Sequence, residues 1–447
     1  MRKIDTDILV LGAGLSGLVA ADTLCRKNLR VTVLEKEPEV GGLARTFDFC
    51  GFRFDIGGHK ICFNGQRNQD YLKGILNGEE LLSMKQKSRI LFDGKYIVYP
   101  VNFLSILDVK KKDLARIIFE ALRRDRSLKA DNFENWIKLN YGPTLYRIFF
   151  KDYTEKVWGR SCSDLASVWA GKRVGSNSIF KFLKEVFIPD STVKERTRNF
   201  FFPREGIGAF SKALEARLNG SRQIYKNVSL GRFSAEEGKL SALSFAAGNE
   251  KLEVSFKQVF SSIPIRELLE TAERSFPLEL NGIKEMIKYR SLILVSLIVA
   301  EGSATDWHWC YIPSKEFSFS RLYEPKFWSY DMAPFKDKTL LCAEVFCDYG
   351  DPRWQMSDYT IAGIVEKDLV AAGILRGDTA VLGTCVKRVR YAYPLLYYGY
   401  EGALDKAKGL LSGLKNIRLI GRSGSHAYYD MEECISDTVG AVESVYG

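Results

Sequence analysis

Asp7 to Arg45 reads DILVLGAGLSGLVAADTLCRKNLRVTVLEKEPEVGGLAR. The apolar run Ile8 to Leu11 suits a strand covered on both faces. Gly12, Gly14 and Gly17 follow it as G-x-G-x-x-G. The first glycine allows the tight turn, the second a pyrophosphate against the backbone, the third close helix–sheet packing. Leu18, Ala21 and Leu24 then sit at helical spacing, and the N-terminus of that helix offers N–H groups to phosphate. Val31 to Leu34 is a second strand, closed by Glu35, 23 positions after Gly12. A carboxylate there is placed to accept ribose hydroxyls. Strand, turn, helix, strand and acid together predict a dinucleotide site rather than a plain Gly-rich turn.

Around this unit the composition is that of a globular protein: 447 residues, 46% hydrophobic and 27% charged. That length predicts two or three domains. The net charge of +10 is dispersed, with no run that reads as a nucleic-acid arm. It fits an anionic ligand such as a nucleotide sugar, peripheral contact with anionic lipid, or simply a basic surface. Nine cysteines without C-x-x-C predict a reduced, cytoplasmic protein without structural zinc. No apolar run approaches ~20 residues, so no transmembrane segment is expected. The oligomeric state stays open.

Further along, Phe54 to His59 (FDIGGH) pairs two glycines that let backbone pass close to a flat ligand. His59 is either a neighbour of that ligand or a hydrogen-bonded loop histidine. Ser88 to Val101 is a hairpin about Asp93-Gly94, and Asp108 to Lys184 reads as helices. Lys288 to Val299 and Thr339 to Phe346 are strands extending the hairpin's sheet, and Asp358 to Gly373 is a helix. Asn416 to Gly421 is a short strand, and Cys434 to Tyr446 the last helix. The fold class is α/β. A Rossmann-like domain with a parallel sheet is expected from residues 1–84, 201–285 and 385–447. A helical insertion is expected at 102–200. An antiparallel-sheet substrate domain is expected from 85–101 and 286–384.

Four segments carry large polar residues that a plain core does not need: FFKDYTEKVWGRSCSDLASVWAGKR (Phe149 to Arg173), SFSRLYEPKFW (Ser318 to Trp328), RYAYPLLYYGY (Arg390 to Tyr400) and GRSGSHAYYDM (Gly421 to Met431). Arginine gives bidentate, permanent charge to a diphosphate. Tyrosine gives hydroxyls at low entropy cost. Each segment taken alone also fits core aromatics with snorkelling arginines.

FDIGGH, YTEKVWG, FPREGIGAF, FSRLYEPKFW, AYP and GRSGSHAYYDM, in this order, resemble the UDP-galactopyranose mutases and their protoporphyrinogen-oxidase-like relatives in the amine-oxidase-like superfamily. The second glycine pair, Gly41-Gly42, and Arg45 resemble the segment that lines isoalloxazine and pyrophosphate in such flavoproteins. The resemblance implies FAD as cofactor, active when reduced. It implies a pyranose–furanose interconversion of a UDP-galactose-like sugar, a step of cell-surface polysaccharide biosynthesis, in which flavin N5 attacks the anomeric carbon and displaces UDP. Gly12, Gly14, Gly17, Glu35, Lys36, Gly42, Leu43, Arg45, Gly57, Gly58, His59, Arg422 and Met431 are then the cofactor contacts. Arg173 and Arg321 match the diphosphate arginines. Trp158 matches the pocket tryptophan, and Tyr428 the phosphate tyrosine. Tyr153, Tyr393 and Arg422 are further substrate contacts, and His59 is grouped with the catalytic residues. His426 departs from the pattern, standing where the bacterial mutases have an aromatic. The alternative is an FAD-dependent oxidoreductase of the amine-oxidase, protoporphyrinogen-oxidase or desaturase type. A non-catalytic flavin-binding protein is the third reading.

Overall fold

The computed structural model describes residues 2–62, 65–76, 81–99, 111–122, 128–174, 199–218, 223–277, 280 and 282–447. Ile8–Leu11 is the middle strand of a five-stranded parallel sheet, with every residue fully buried. The order across this sheet is Gln223–Tyr225, Val31–Leu34, Ile8–Leu11, Gln258–Ser261, Ile417–Leu419. Helices Leu15–Cys25, Gly208–Leu218 and Met431–Tyr446 cover one face through Leu18, Phe210, Leu214 and Ile435. The other face packs on a four-stranded sheet through Leu9, Leu243, Val254 and Val259. Burial on both faces is why the central strand carries no polar residue.

The second large sheet has seven strands, ordered Val381–Pro394, Tyr289–Val299, Thr339–Cys347, Arg321–Tyr323, Trp309–Tyr311, Ser88–Phe92, Lys95–Tyr99. Asp93 and Gly94 both have positive φ, as a two-residue hairpin turn of the primed type requires. The sheet is antiparallel except at one joint, where Trp309–Tyr311 runs parallel to Ser88–Phe92. Those two strands come from distant parts of the chain, so no hairpin constrains their direction. Strand Val381–Pro394 crosses the expected boundary at 385 and pairs with Tyr289–Val299 along its length. Residues up to Pro394 therefore stay with the seven-stranded sheet.

The described elements between 111 and 174 are helical. The last helix starts at Met431 rather than Cys434, because Asp430 and Glu433 form a capping box. Helix Tyr400–Ser412 begins where the tyrosine-rich run ends and buries Ala403, Leu404, Ala407 and Leu411 at helical spacing.

Candidate functional site

The first half of the site is a glycine cradle at the ends of the parallel strands. Gly12 has φ +90°, and a Cβ on Gly17 would stand 1.9 Å from the Gly12 carbonyl oxygen. No side chain fits either place. The second glycine pair closes on the first: Gly41 N–H donates to the Ala13 carbonyl at 2.7 Å, and a Cβ on Gly42 would lie 3.0 Å from Gly14 Cα. Leu43 is half-buried beside this contact. Glu35 Oε2 accepts from Ala13 N at 2.6 Å and Oε1 from Glu37 N at 3.0 Å. Burial raises the pKa of this carboxyl, and the two backbone bonds oppose that. Each oxygen retains a lone pair.

Lys36 pairs with Glu267 at 3.0 Å and lies over the Tyr391 ring. Arg45 donates to the Gly42 carbonyl at 3.0 Å and covers Phe47. Met431, half-buried, opens the last helix against this core.

The FDIGGH loop joins the cradle to the seven-stranded sheet. Buried Asp55 accepts from Thr46 and from Ile207 N–H, the latter at 3.2 Å, which ties the loop to the FPREGIGAF turn. Burial pushes the Asp55 carboxyl up to about 7. Gly57 has φ +80°, and a Cβ there would lie 3.0 Å from Glu344 Oε1. A Cβ on Gly58 would lie 3.0 Å from the Trp328 ring. His59 is half-buried, with Nδ1 3.1 Å from the Gly57 carbonyl. Burial, then Arg422 and Arg321, push its pKa down to about 4. A neutral ring donating from Nδ1 leaves Nε2 as an acceptor.

Beyond this loop the expected substrate residues converge. The Tyr393 and Tyr428 rings stack at 5.9 Å and 17°. Trp158 stands edge-on to both, at 6.0 and 6.1 Å. Trp158 is 3% exposed, and its indole N–H has no partner among the described residues. Arg422 lies over both tyrosine rings and donates Nε to the Tyr429 carbonyl at 2.7 Å. Among the described residues no carboxylate pairs with it.

Arg321 donates through Nε to Glu344 Oε2 at 3.0 Å, through Nη2 to the same oxygen, and through Nη2 to Tyr393 Oη at 3.0 Å. Burial disfavours the charge of Arg321. Glu344 opposes it, and together with the phenols of Tyr393, Tyr153 and Tyr311 it holds the pKa well above the ordinary value. Tyr153 packs edge-on to Tyr311, which pairs with Arg321 across the sheet. Arg173 lies in helix Ser167–Val174, and its side chain is outside the described residues. His426 does not join the cluster. It is 1% exposed, edge-on to Tyr289 at 4.8 Å, and burial pushes its pKa down to about 4. It serves there as a neutral ring in an aromatic's place.

Sequence reasoning missed Glu344 and Arg290. Both are lone charges in buried strands, Thr339–Cys347 and Tyr289–Val299. A solitary charge in an apolar run is a legible signal, because burying it unpaired is costly. Arg290 donates to the Val157 carbonyl and to Asp348, both at 2.7 Å, and so clamps the end of helix Asp152–Trp158. Among the described residues no cluster of His, Cys, Asp and Glu could hold a metal ion, and no helix is long and apolar enough to cross a membrane.

The family model for flavin containing amine oxidoreductases matches residues 15–445. The chain belongs to this family. FAD is the cofactor, and the cradle fits it: glycine positions closed to any side chain, and a buried acid at the second strand's end. A structure of reduced UDP-galactopyranose mutase superposes with a TM-score of 0.84 over 99% of this chain and 94% of that one, at 21% identity. Putrescine oxidase with bound putrescine gives 0.65 over the whole of both chains, at 16% identity. A "Probable UDP-galactopyranose mutase" of Klebsiella pneumoniae is 24% identical over 168 residues, 36% of this chain and 42% of that protein. The chain spans less than half the length of the first curated relatives it matches. At these identities the solved structures establish the family's fold, and both isomerases and oxidases carry it.

Proposed function

We propose that the chain is a flavin-dependent sugar-nucleotide mutase acting on a UDP-galactose-like substrate. The observation that carries this reading is the convergence of Arg321, Arg422, Tyr393 and Tyr428 beside the FDIGGH loop. An amine or hydrocarbon gains little from two guanidiniums beside paired phenols, whereas a diphosphate gains charge-assisted bonds from all four. When bound and reduced, FAD supplies a nucleophile for the anomeric carbon.

This chain's residues supply the rest. Tyr393 Oη already accepts from Arg321, so its own proton is left for a phosphate oxygen. Arg422, without a carboxylate partner among the described residues, brings net positive charge to a departing UDP. Trp158 walls the site and holds an unused N–H donor. Neutral His59 offers Nε2 as a proton acceptor. Arg173 is the second proposed diphosphate arginine, and the nucleotide sugar is the proposed partner.

Titrating UDP into the oxidised holoenzyme tests this reading. Saturable perturbation of the flavin spectrum, abolished in Arg422→Ala, is expected. A spectrum indifferent to UDP contradicts it. One observation favours the oxidoreductase reading: Glu344 neutralises Arg321, which leaves a pocket wall that is largely aromatic. Turnover of a reduced organic substrate with O₂ would be its mark.

A further inference from the structure

Helix Asp152–Trp158 brings Tyr153 and Trp158 to the site. Its Lys156 points the other way. The ammonium donates to the carbonyls of Ile312 at 2.9 Å, Ser314 at 2.6 Å and Phe319 at 2.6 Å. Three N–H groups meet three oxygens, a complete match for an ammonium. All three carbonyls belong to the segment between strand Trp309–Tyr311 and strand Arg321–Tyr323. One side chain thus joins the element that carries Trp158 to the one that leads into Arg321. A cavity of about 540 Å³ lies alongside, lined by Lys156, Arg160, Arg290, Arg353 and Asp368, so the cage borders open space rather than solid core.

We propose that Lys156 is a positioning residue whose protonated amine locks the Trp158 helix to the segment leading into Arg321. The lock opens on deprotonation. A neutral amine has two N–H groups and a lone pair, so one of the three carbonyls loses its donor and meets the lone pair. Burial lowers the Lys156 pKa to about 7, with Asp368 opposing and Arg353 adding to the fall. The charged groups facing it are Asp368 from helix Asp358–Ala371, Arg353 from helix Pro352–Gln355 and Arg290 from strand Tyr289–Val299. Glu155 on its own helix, Arg160 just beyond that helix, and Lys315 and Glu316 on the tethered segment complete the set. Lys315 pairs with Glu155 at 2.7 Å, a contact beside the cage but separate from it. The consequence for ligand affinity rests on the proposed function; the lock itself does not.

The test is hydrogen exchange by mass spectrometry on the FAD-loaded enzyme. At about pH 6, Lys156→Met should speed exchange in peptides 152–158 and 312–319 by about tenfold, what loss of a charge-assisted contact allows, with cradle peptides unchanged. Lys315→Met, which removes an exposed ion pair between the same two elements, should speed exchange in peptide 312–319 far less than Lys156→Met does. UDP affinity of Lys156→Met should fall about tenfold at the same pH. At about pH 9 the wild type should exchange like Lys156→Met, while Lys156→Arg, charged throughout, stays protected. Equal exchange in wild type and Lys156→Met at about pH 6 overturns the lock. So does loosening of Lys156→Arg at about pH 9 to the wild-type level, a comparison that stands even if Lys156→Met does not fold. Faster exchange with unchanged UDP affinity overturns the positioning role. If the wild type ignores UDP, the proposed function fails and the exchange comparison alone decides the lock.

Discussion

Arg321 and Glu344 form an ion pair inside the seven-stranded sheet, with the glutamate 1% exposed and Tyr393 held at 3.0 Å by the same guanidinium. The pair does two separable things. It satisfies a charge the strand could not otherwise bury, and it orients a phenol towards the site.

Separating them gives the first prediction. Arg321→Ala should lower kcat/KM by on the order of a hundredfold and stability by about 3–5 kcal/mol, since Glu344 is left buried and unpaired. Arg321→Met with Glu344→Leu should regain most of the melting temperature and none of the activity. Recovery of turnover in the double variant would remove Arg321 from the site.

The stacked phenols make a finer test. Tyr393→Phe and Tyr428→Phe keep the rings that Trp158 and Arg422 contact. Each should raise KM or lower kcat by about tenfold, as loss of one hydrogen bond to a charged group does. Steady-state kinetics on the two variants checks this.

In the cradle, Gly17→Ala should yield protein without flavin. The added methyl would sit 1.9 Å from the Gly12 carbonyl oxygen and force the turn open. The ratio of visible to ultraviolet absorbance after purification reads the outcome directly. A yellow, fully loaded variant would contradict the geometry.

His426 predicts part of the protein's response to acid. Its folded pKa of about 4 lies below the ordinary histidine value of 6.5. As pH falls through 6.5 the unfolded chain takes up a proton that the folded chain refuses, so stability is lost until about pH 4. Between about pH 7 and 5 this amounts to roughly 2 kcal/mol. His426→Phe, which keeps the ring against Tyr289, should show a smaller fall in melting temperature over that range.

Much of the cradle was legible because its signals are local. Gly12 to Glu35 encode turn, helix and acid within one unit, and the structure places each on the expected element. The proposed substrate wall is different. Trp158, Arg321, Tyr393 and Tyr428 lie on separate elements, and only their order along the chain, matched to a family, pointed to a common place. Glu344 and Arg290 escaped because reading for apolar periodicity passes over the one charged residue in a strand. The pairing of Val381–Pro394 with Tyr289–Val299 was illegible for a related reason: half-buried alternation carries no mark of which sheet receives it.

The most direct measurement is anaerobic. Holoenzyme reduced with dithionite is incubated with UDP-galactopyranose and a panel of other nucleotide sugars, and the products are separated. The account predicts a furanose product from at least one of them, formed by reduced enzyme and absent with oxidised enzyme. Reduced enzyme that converts none of these sugars, while O₂ supports turnover of a reduced organic substrate, would contradict it.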